Sequence, residues 1–373
     1  MKSNNKVIIL TNLYPSPWEP NRATFNKQQF DALSQYKELH YLVPVPFLQW
    51  FKKRKQIKQT THLRYAPFFY VPGTGRRFNG IFMTLSLLFH SGRWIKASQA
   101  DTLLACWAYP DGVAGQKLAH HFKLNYFLKI HGSDIHIHGL HPSRSAQIKQ
   151  AANKASGIVS VSNELKQSLA ELGVEANKIS VLYNGVNHAL FQPKYQRPCD
   201  FEYIIFVGNL KHDKGIIEYA TAFDQFAASN AQLHCVVIGD GPDAGELRRF
   251  VDTLQHRDRF HILGSLEHHQ IAPWVQHAKC LCLPSYHEGV PNVLLESMAI
   301  GTPVISTLVG GIPEVVLQNE TGLLIKPQNS VQLLAALDQA LSIEWNQEAI
   351  RKHAEKFCWQ SNAKQLQELI STR

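Results

Sequence analysis

The stretch Leu283–Val304, LPSYHEGVPNVLLESMAIGTPV, carries the most information in the chain. An apolar run, Lys279–Leu283, reads as a strand ending near Pro284. A loop follows, a helix starts near Asn292 and covers Val293–Ala299, and Val304–Ser306 reads as the next strand. Asn292 suits the N-cap of that helix, so the amides of the first turn point back into the loop. Such a helix start is suited to an anion the size of a diphosphate. Glu288 falls in the loop and Glu296 about one turn into the helix, where two carboxylates can accept hydrogen bonds from hydroxyls along one ligand. Surface acids on an ordinary strand–helix unit would look the same.

The same alternation extends outward in both directions. Upstream, Lys6–Thr11, Leu39–Val45, Thr102–Ala105, Asn125–Ile130 and Gly157–Val161 read as buried strands, with helices at Phe25–Ser34, Val113–Phe122 and Glu164–Leu172. After residue 200, strands are expected at Tyr203–Val207, His234–Ile238 and Phe260–Leu263, with helices at Gly215–Ala228 and Ala244–Leu254. Strands alternating with helices imply parallel sheets with crossover helices. The pattern is interrupted at His188–Asp200, which contains two prolines. The expected fold class is therefore α/β, with two doubly wound, Rossmann-like domains. Ligands in such sheets sit beyond the carboxyl ends of the strands, and two domains facing across a cleft would share one site.

The net charge of +9 is concentrated. Between Tyr41 and Ala100 there are ten Lys or Arg and no Asp or Glu, leaving 28 basic and 29 acidic residues elsewhere. A basic field of this kind favours anionic partners. Aromatics accompany it: Trp50 and Phe51 beside Lys52, Lys53, Arg54 and Lys55, then Arg76, Arg77, Phe78, Phe82, Phe89, Arg93 and Trp94. An anionic membrane surface fits that mixture, and a solvated face over core aromatics fits it equally. No recognition motif for nucleic acid accompanies the patch, so none is expected as a partner. The six cysteines form no C-x-x-C pair and suit buried reduced thiols. Ile81–Phe89 falls short of the about 20 apolar residues needed for a membrane span. A cytoplasmic protein, peripheral on the inner face of the membrane, is expected.

Taken together, the motifs resemble glycosyltransferase family 4, most nearly its bacterial exopolysaccharide and teichuronic-acid enzymes. The E-x7-E segment Glu288–Glu296 is followed by Val309–Val316, VGGIPEVV, and Asn319–Leu324. Phe206–Gly215, FVGNLKHDKG, and Val237–Pro242, VIGDGP, match further upstream. In the first half His131–Asp134, HGSD, Tyr183–Asn187, YNGVN, and the opening Leu13–Pro17 and Phe25…Gln29 match in order. The resemblance implies a GT-B fold and a retaining transfer from a nucleotide diphosphate-sugar, UDP before GDP, to an acceptor hydroxyl. It implies an acceptor-binding domain over 1–188, a donor-binding domain over 189–355, and a terminal helix over 356–373 that crosses back. The acceptor would be a lipid-linked or cell-envelope glycan.

The resemblance also implies roles for individual residues. Glu288 would bind hydroxyls of the transferred sugar, and Glu296 the ribose. The backbone of Gly289, Val290, Pro291 and Asn292 would approach the sugar and phosphates, and Lys214 would neutralise the diphosphate. Asn209 stands where many members carry Arg, so a second cation would come from Lys211 or the first domain. His131 would contact the donor near its anomeric centre, with Asp134 as a cap or orienting partner for the loop. Arg22, Ala23 and Thr24 occupy the family's glycine-containing loop near phosphate and acceptor, with Ala23 in place of glycine. The histidines at 131, 136, 138 and 141 match no zinc pattern, and the family lacks a D-x-D pair, so no metal and no cofactor are expected. Nor does any residue look like an activated nucleophile. A silent nucleotide-sugar-binding subunit and an epimerase of the same fold are the alternatives.

Overall fold

The computed structural model describes residues 6–371. The chain divides into two compact units, one running to Asn184 and resuming at Trp359, the other spanning Gly185–Cys358.

The first unit is built on strands β1 (Lys6–Leu10), β2 (Glu38–Pro46), β3 (Leu63–Phe68), β4 (Thr102–Ala105), β5 (Asn125–Ile130), β6 (Gly157–Ser160) and β7 (Ile179–Val181). They form one sheet in the order β3-β2-β1-β4-β5-β6-β7, and all neighbouring pairs are parallel. Successive residues face opposite sides of a strand, so two apolar layers form. Ile8, Leu10, Leu103 and Ala105 face a layer with Met83, Leu87, Val113, Leu118 and Ile148 from covering helices. Val7, Ile9 and Leu104 face the other, under the helices Thr24–Leu33 and Trp359–Ser371. Trp359, Ala363, Leu366 and Ile370 line one helical stripe in that layer. Trp359 also donates its indole N–H to Gln28 Oε1 at 2.9 Å. That anchors the terminal helix to this unit.

The second unit carries β8 (Glu202–Val207), β9 (Leu233–Ile238), β10 (Phe260–Gly264), β11 (Leu281–Leu283), β12 (Val304–Thr307) and β13 (Gly322–Ile325). The order is β10-β9-β8-β11-β12-β13, again parallel throughout. In both sheets the winding reverses between the first strand and the fourth, β1 beside β4 and β8 beside β11. Crevices at such reversals lie beyond the carboxyl ends of the strands.

Several elements escaped the sequence pattern for identifiable reasons. Strand β3 contains Pro67, which a sheet tolerates because β3 is an edge. The helix His268–His277 encloses Pro273 and three histidines. The helix Asn79–Ser98 is apolar on nearly all sides, so amphipathic spacing does not announce it.

Candidate functional site

In the second unit the reversal brings two loops together. The loop after β8 holds Asn209, exposed, and a short turn His212–Lys214 closed by Gly215. Gly215 has φ 68, and a Cβ there would lie 2.2 Å from the Pro284 carbonyl oxygen, so this turn can seat on the β11 loop only with glycine. The Tyr286 amide donates to the Asp213 carbonyl at 2.8 Å and locks the two loops together. Lys214 Nζ then reaches Glu288 Oε1 at 2.5 Å, and Ser285 Oγ donates to the same oxygen at 2.9 Å. Ser285 is itself pinned, its carbonyl accepting from Thr307 Oγ1 at 2.6 Å. The pair remains partly open to solvent, at 22% and 13% side-chain exposure for Lys214 and Glu288.

The far wall of the loop is Gly310–Gly311. Gly310, at φ 54, would place a Cβ 1.9 Å from the Glu288 carbonyl oxygen, and Gly311 donates to Gly289 at 2.7 Å. The backbone of Glu288–Gly289 is thus held from two sides. The following helix runs Asn292–Ile300. Its N-cap is Pro291 at φ −66, ψ 122, and Asn292 is already the first helical residue, so the helix starts one position earlier than sequence expects. Proline supplies no amide, and its fixed φ sets the entry into the helix.

Glu296 lies on this helix, buried, and is paired with a residue sequence reading did not single out. His268 Nε2 is 2.7 Å from Glu296 Oε1. Burial acts to lower the imidazolium pKa, but the hydrogen bond and charge of Glu296 outweigh it, and the net shift is upward from 6.5. A raised folded-state pKa means that this pairing stabilises fully below the unfolded value and fades as pH rises through the folded one. Comparing melting temperatures of the wild type and His268→Ala should therefore show a gap that is widest in mild acid and closes in alkali.

The corresponding loops of the first unit converge at β1, β4 and β5. Asp134 is fully buried and accepts from the amides of His131 (3.0 Å), Gly132 (2.8 Å) and Ala108 (2.9 Å). One carboxylate thereby organises the loops after β4 and β5. Burial still raises its pKa, against the pull of those hydrogen bonds. The His131 ring lies beside Phe25 and Trp107, at centroid distances of 5.2 and 6.0 Å. Its Nε2 is buried without a hydrogen-bond partner among the described residues. Burial, then the nearby Lys129 charge, hold its pKa well below the usual histidine value, so the ring is neutral at physiological pH.

Two more buried charges belong to this region. Lys129 Nζ donates to Gln29 Oε1 at 2.6 Å, and burial lowers its pKa to about 8. Asp111 accepts from the Asn12 amide at 2.6 Å and from Asn12 Nδ2 at 2.7 Å, and burial pushes its pKa up to about 7. Asn12 in turn accepts from Arg22 Nε at 3.2 Å, while Arg22 also pairs with Glu19 at 3.1 Å. This chain forms one wall of a cavity of about 230 Å³, lined also by Tyr14, Trp18, Val45 and Tyr70. A larger cavity of about 410 Å³ in the second unit lies at the amino ends of its strands, by Lys279 and Pro303, away from Glu288.

Thr24 begins its helix, and Ala23 precedes it with φ 49, ψ 46, the left-handed conformation that glycine adopts without cost. The backbone thus takes a glycine-type turn despite the Cβ. Replacing Ala23 with Gly should stabilise the first unit by about 1 kcal/mol, read as a higher denaturation midpoint.

The four histidines of the 131–141 stretch do not converge. His136 pairs with Glu164 at 3.3 Å and His138 with Arg144 at 3.1 Å. Among the described residues, the atoms suited to hold a metal that come within 4.8 Å of one another are those of Glu38, His40 and His62. Lys6 already occupies Glu38 there at 3.0 Å.

Two family models match the chain. "Glycosyltransferase Family 4" covers residues 39–190, and "Glycosyl transferases group 1" covers 189–357. A Bacillus subtilis protein named as a teichuronic acid biosynthesis glycosyltransferase, TuaC, is 28% identical over 360 residues, spanning 89% of this chain and 88% of that one. Among solved structures, a sucrose-phosphate synthase from Thermosynechococcus elongatus superposes with a TM-score of 0.79 at 20% identity, covering 98% of both chains. Anabaena HepE, solved in complex with UDP, superposes with a TM-score of 0.75 at 18% identity, covering 99% of this chain and 100% of that one. These likenesses establish the GT-B fold.

Proposed function

Because the chain belongs to glycosyltransferase family 4, we propose that it is a retaining enzyme transferring a sugar from a nucleotide diphosphate-sugar, UDP-linked, to a hydroxyl of a lipid-linked or envelope glycan. The observation that carries this reading is the Lys214–Glu288 pair at the winding reversal of the second sheet. Glu288 offers a carboxylate to sugar hydroxyls, and Lys214 offers a fixed cation to a diphosphate. As the bond from the anomeric carbon to the phosphate oxygen breaks, the leaving group gains negative charge. A cation already in place then stabilises the transition state more than the ground state.

The acceptor hydroxyl attacks from the face the phosphate leaves, and its proton passes to a departing phosphate oxygen, so no protein nucleophile is needed. His131, neutral and with an unpartnered Nε2, is suited to hydrogen-bond the donor near its anomeric centre. In this reading Glu296, held by His268, accepts from ribose hydroxyls, and the backbone of Gly289–Asn292 approaches the phosphates. Lys214 and the start of the Asn292 helix supply positive charge, so this reading calls for no metal and no other cofactor. Asn209 lacks a charge; Lys211 in the same loop is the second cation nearest in sequence. The name of the Bacillus relative supports an envelope-glycan acceptor, and the UDP held by HepE supports the choice of nucleotide.

A thermal-shift screen against UDP-, GDP- and ADP-sugars tests the donor. A ligand present at about 100 times its Kd adds roughly 2.7 kcal/mol to folded-state stability, enough for a clear shift. Stabilisation by UDP-sugars is the expected result, and no shift with any of the three overturns the reading. Radiolabelled donor with crude membrane acceptor then distinguishes transfer from release of an epimerised free sugar.

A further inference from the structure

The first unit presents an apolar face that its core does not use. On the helix Asn79–Ser98, Met83, Leu87, Ser91 and Ile95 turn inward. On another side Ile81, Leu85 and Phe89 are 43%, 59% and 85% exposed. Their spacing of four residues places them in one row along the helix, about 12 Å long. Arg93 extends the same row by one more step, and Arg76 and Arg77 lie in the tight turn just before the helix. A second apolar projection comes from the short helix Phe47–Lys53, which buries no residue at all. Leu48 is 74% and Phe51 53% exposed there, directly before Lys52, Lys53, Arg54 and Lys55.

Not every aromatic or cation of the basic stretch belongs to this face. Trp50 donates inward to the Tyr65 carbonyl at 3.3 Å and Trp94 to the Thr61 carbonyl at 3.1 Å. Arg64 donates to Ser91 Oγ at 3.1 Å. Among the described residues, none of the ten cations between Tyr41 and Ala100 has an ion pair. Exposed leucine and phenylalanine gain nothing from water, and beside cations without ion pairs they suit a headgroup layer, where charge meets phosphate and apolar side chains reach the acyl boundary. No helix among the described residues is long and apolar enough to cross a membrane.

We propose that the Asn79–Ser98 helix lies flat in the interface of an anionic bilayer, with Ile81, Leu85 and Phe89 inserted and the Lys52–Lys55 cluster at headgroup level. The short helix borders the 230 Å³ cavity through Gln49, and the loop residue Tyr70 lines it as well, next to Phe69, whose ring packs on Phe82 of the long helix at a centroid distance of 5.6 Å. Loop residues 69–70 thus link the long helix to the cavity rim, a short path for a lipid-borne glycan held at the bilayer surface. This deepens the reading of a lipid-linked acceptor, and it is tested without turnover.

Full-length protein is sedimented with vesicles of phosphatidylcholine alone and with vesicles containing about one third phosphatidylglycerol. Binding to the anionic vesicles is expected to be at least about tenfold tighter and to weaken with salt. An Ile81→Ser, Leu85→Ser, Phe89→Ser triple variant is expected to lose about tenfold in that binding. These side chains are exposed, so its melting temperature should be unchanged. Replacing Lys52, Lys53, Arg54 and Lys55 by Gln is expected to remove most of the salt dependence. Wild-type binding by the triple variant, or equal binding of the wild type to both vesicles, overturns the proposal. So does self-association in vesicle-free ultracentrifugation that the triple variant abolishes, because the face then joins two copies of the chain. A protein that binds vesicles but shows no thermal shift with nucleotide-sugars would sink the donor assignment while leaving this one standing.

Discussion

Glu288→Ala should reduce sugar transfer by at least about 100-fold while leaving the fold intact. Removing one preorganised polar partner from a reacting centre costs a factor of about 100 to 1,000 in turnover. Here the carboxylate does two things, offering an acceptor to the sugar and fixing Lys214 Nζ at 2.5 Å. Its removal leaves the mostly buried Lys214 and Ser285 without their acceptor, at a cost of about 1–3 kcal/mol, softened by the solvent that Lys214 still reaches. Circular dichroism should therefore be close to wild type and the melting temperature only modestly lower, while turnover collapses. Glu288→Gln keeps an oxygen for Lys214 and Ser285 but loses the charge, and should fall between the two. Full activity in the alanine variant would remove Glu288 from the site.

Asp134→Ala should have the largest effect on stability. Its carboxylate accepts from three amides, those of Ala108, His131 and Gly132, with no solvent exposure. Alanine leaves those buried donors without an acceptor. Each unmet buried group costs about 1–3 kcal/mol, and a loss of about 3–5 kcal/mol is the expected sum after relaxation. Denaturant titration reads this directly. The loop that positions His131 is held by the same bonds, so whatever protein remains folded should also transfer poorly. Asp134→Asn retains one acceptor oxygen but turns an N–H toward the remaining donors, and should lose an intermediate amount. A midpoint unchanged in both variants would mean that the loop is held by other contacts.

Much of the architecture could be read from residues in order. Runs such as Tyr203–Val207 and Cys280–Leu283 are apolar on both faces, as strands buried between helix layers must be. Their alternation with helix-length segments specifies parallel winding, and winding places the following loops at the carboxyl ends. Lys214, Glu288, His131 and Asp134 all fall in such loops, so their positions in the fold follow from the linear pattern. Elements without a clean period were lost: β3 with its edge proline, the Pro273 helix, and the long helix whose apolar residues face both inward and outward.

Pairing was a different matter. Nothing local links His268 to Glu296, 28 positions away, or Asn12 to Asp111, 99 positions away. Nor does composition distinguish Trp50, turned inward, from Phe51, turned out. Hydrophobic period and turn chemistry act over a few neighbours and decide which elements form and in what order they wind. Which oxygen meets which nitrogen depends on strand register and on the packing of helices far apart in the chain, and only the assembled core of each unit sets those.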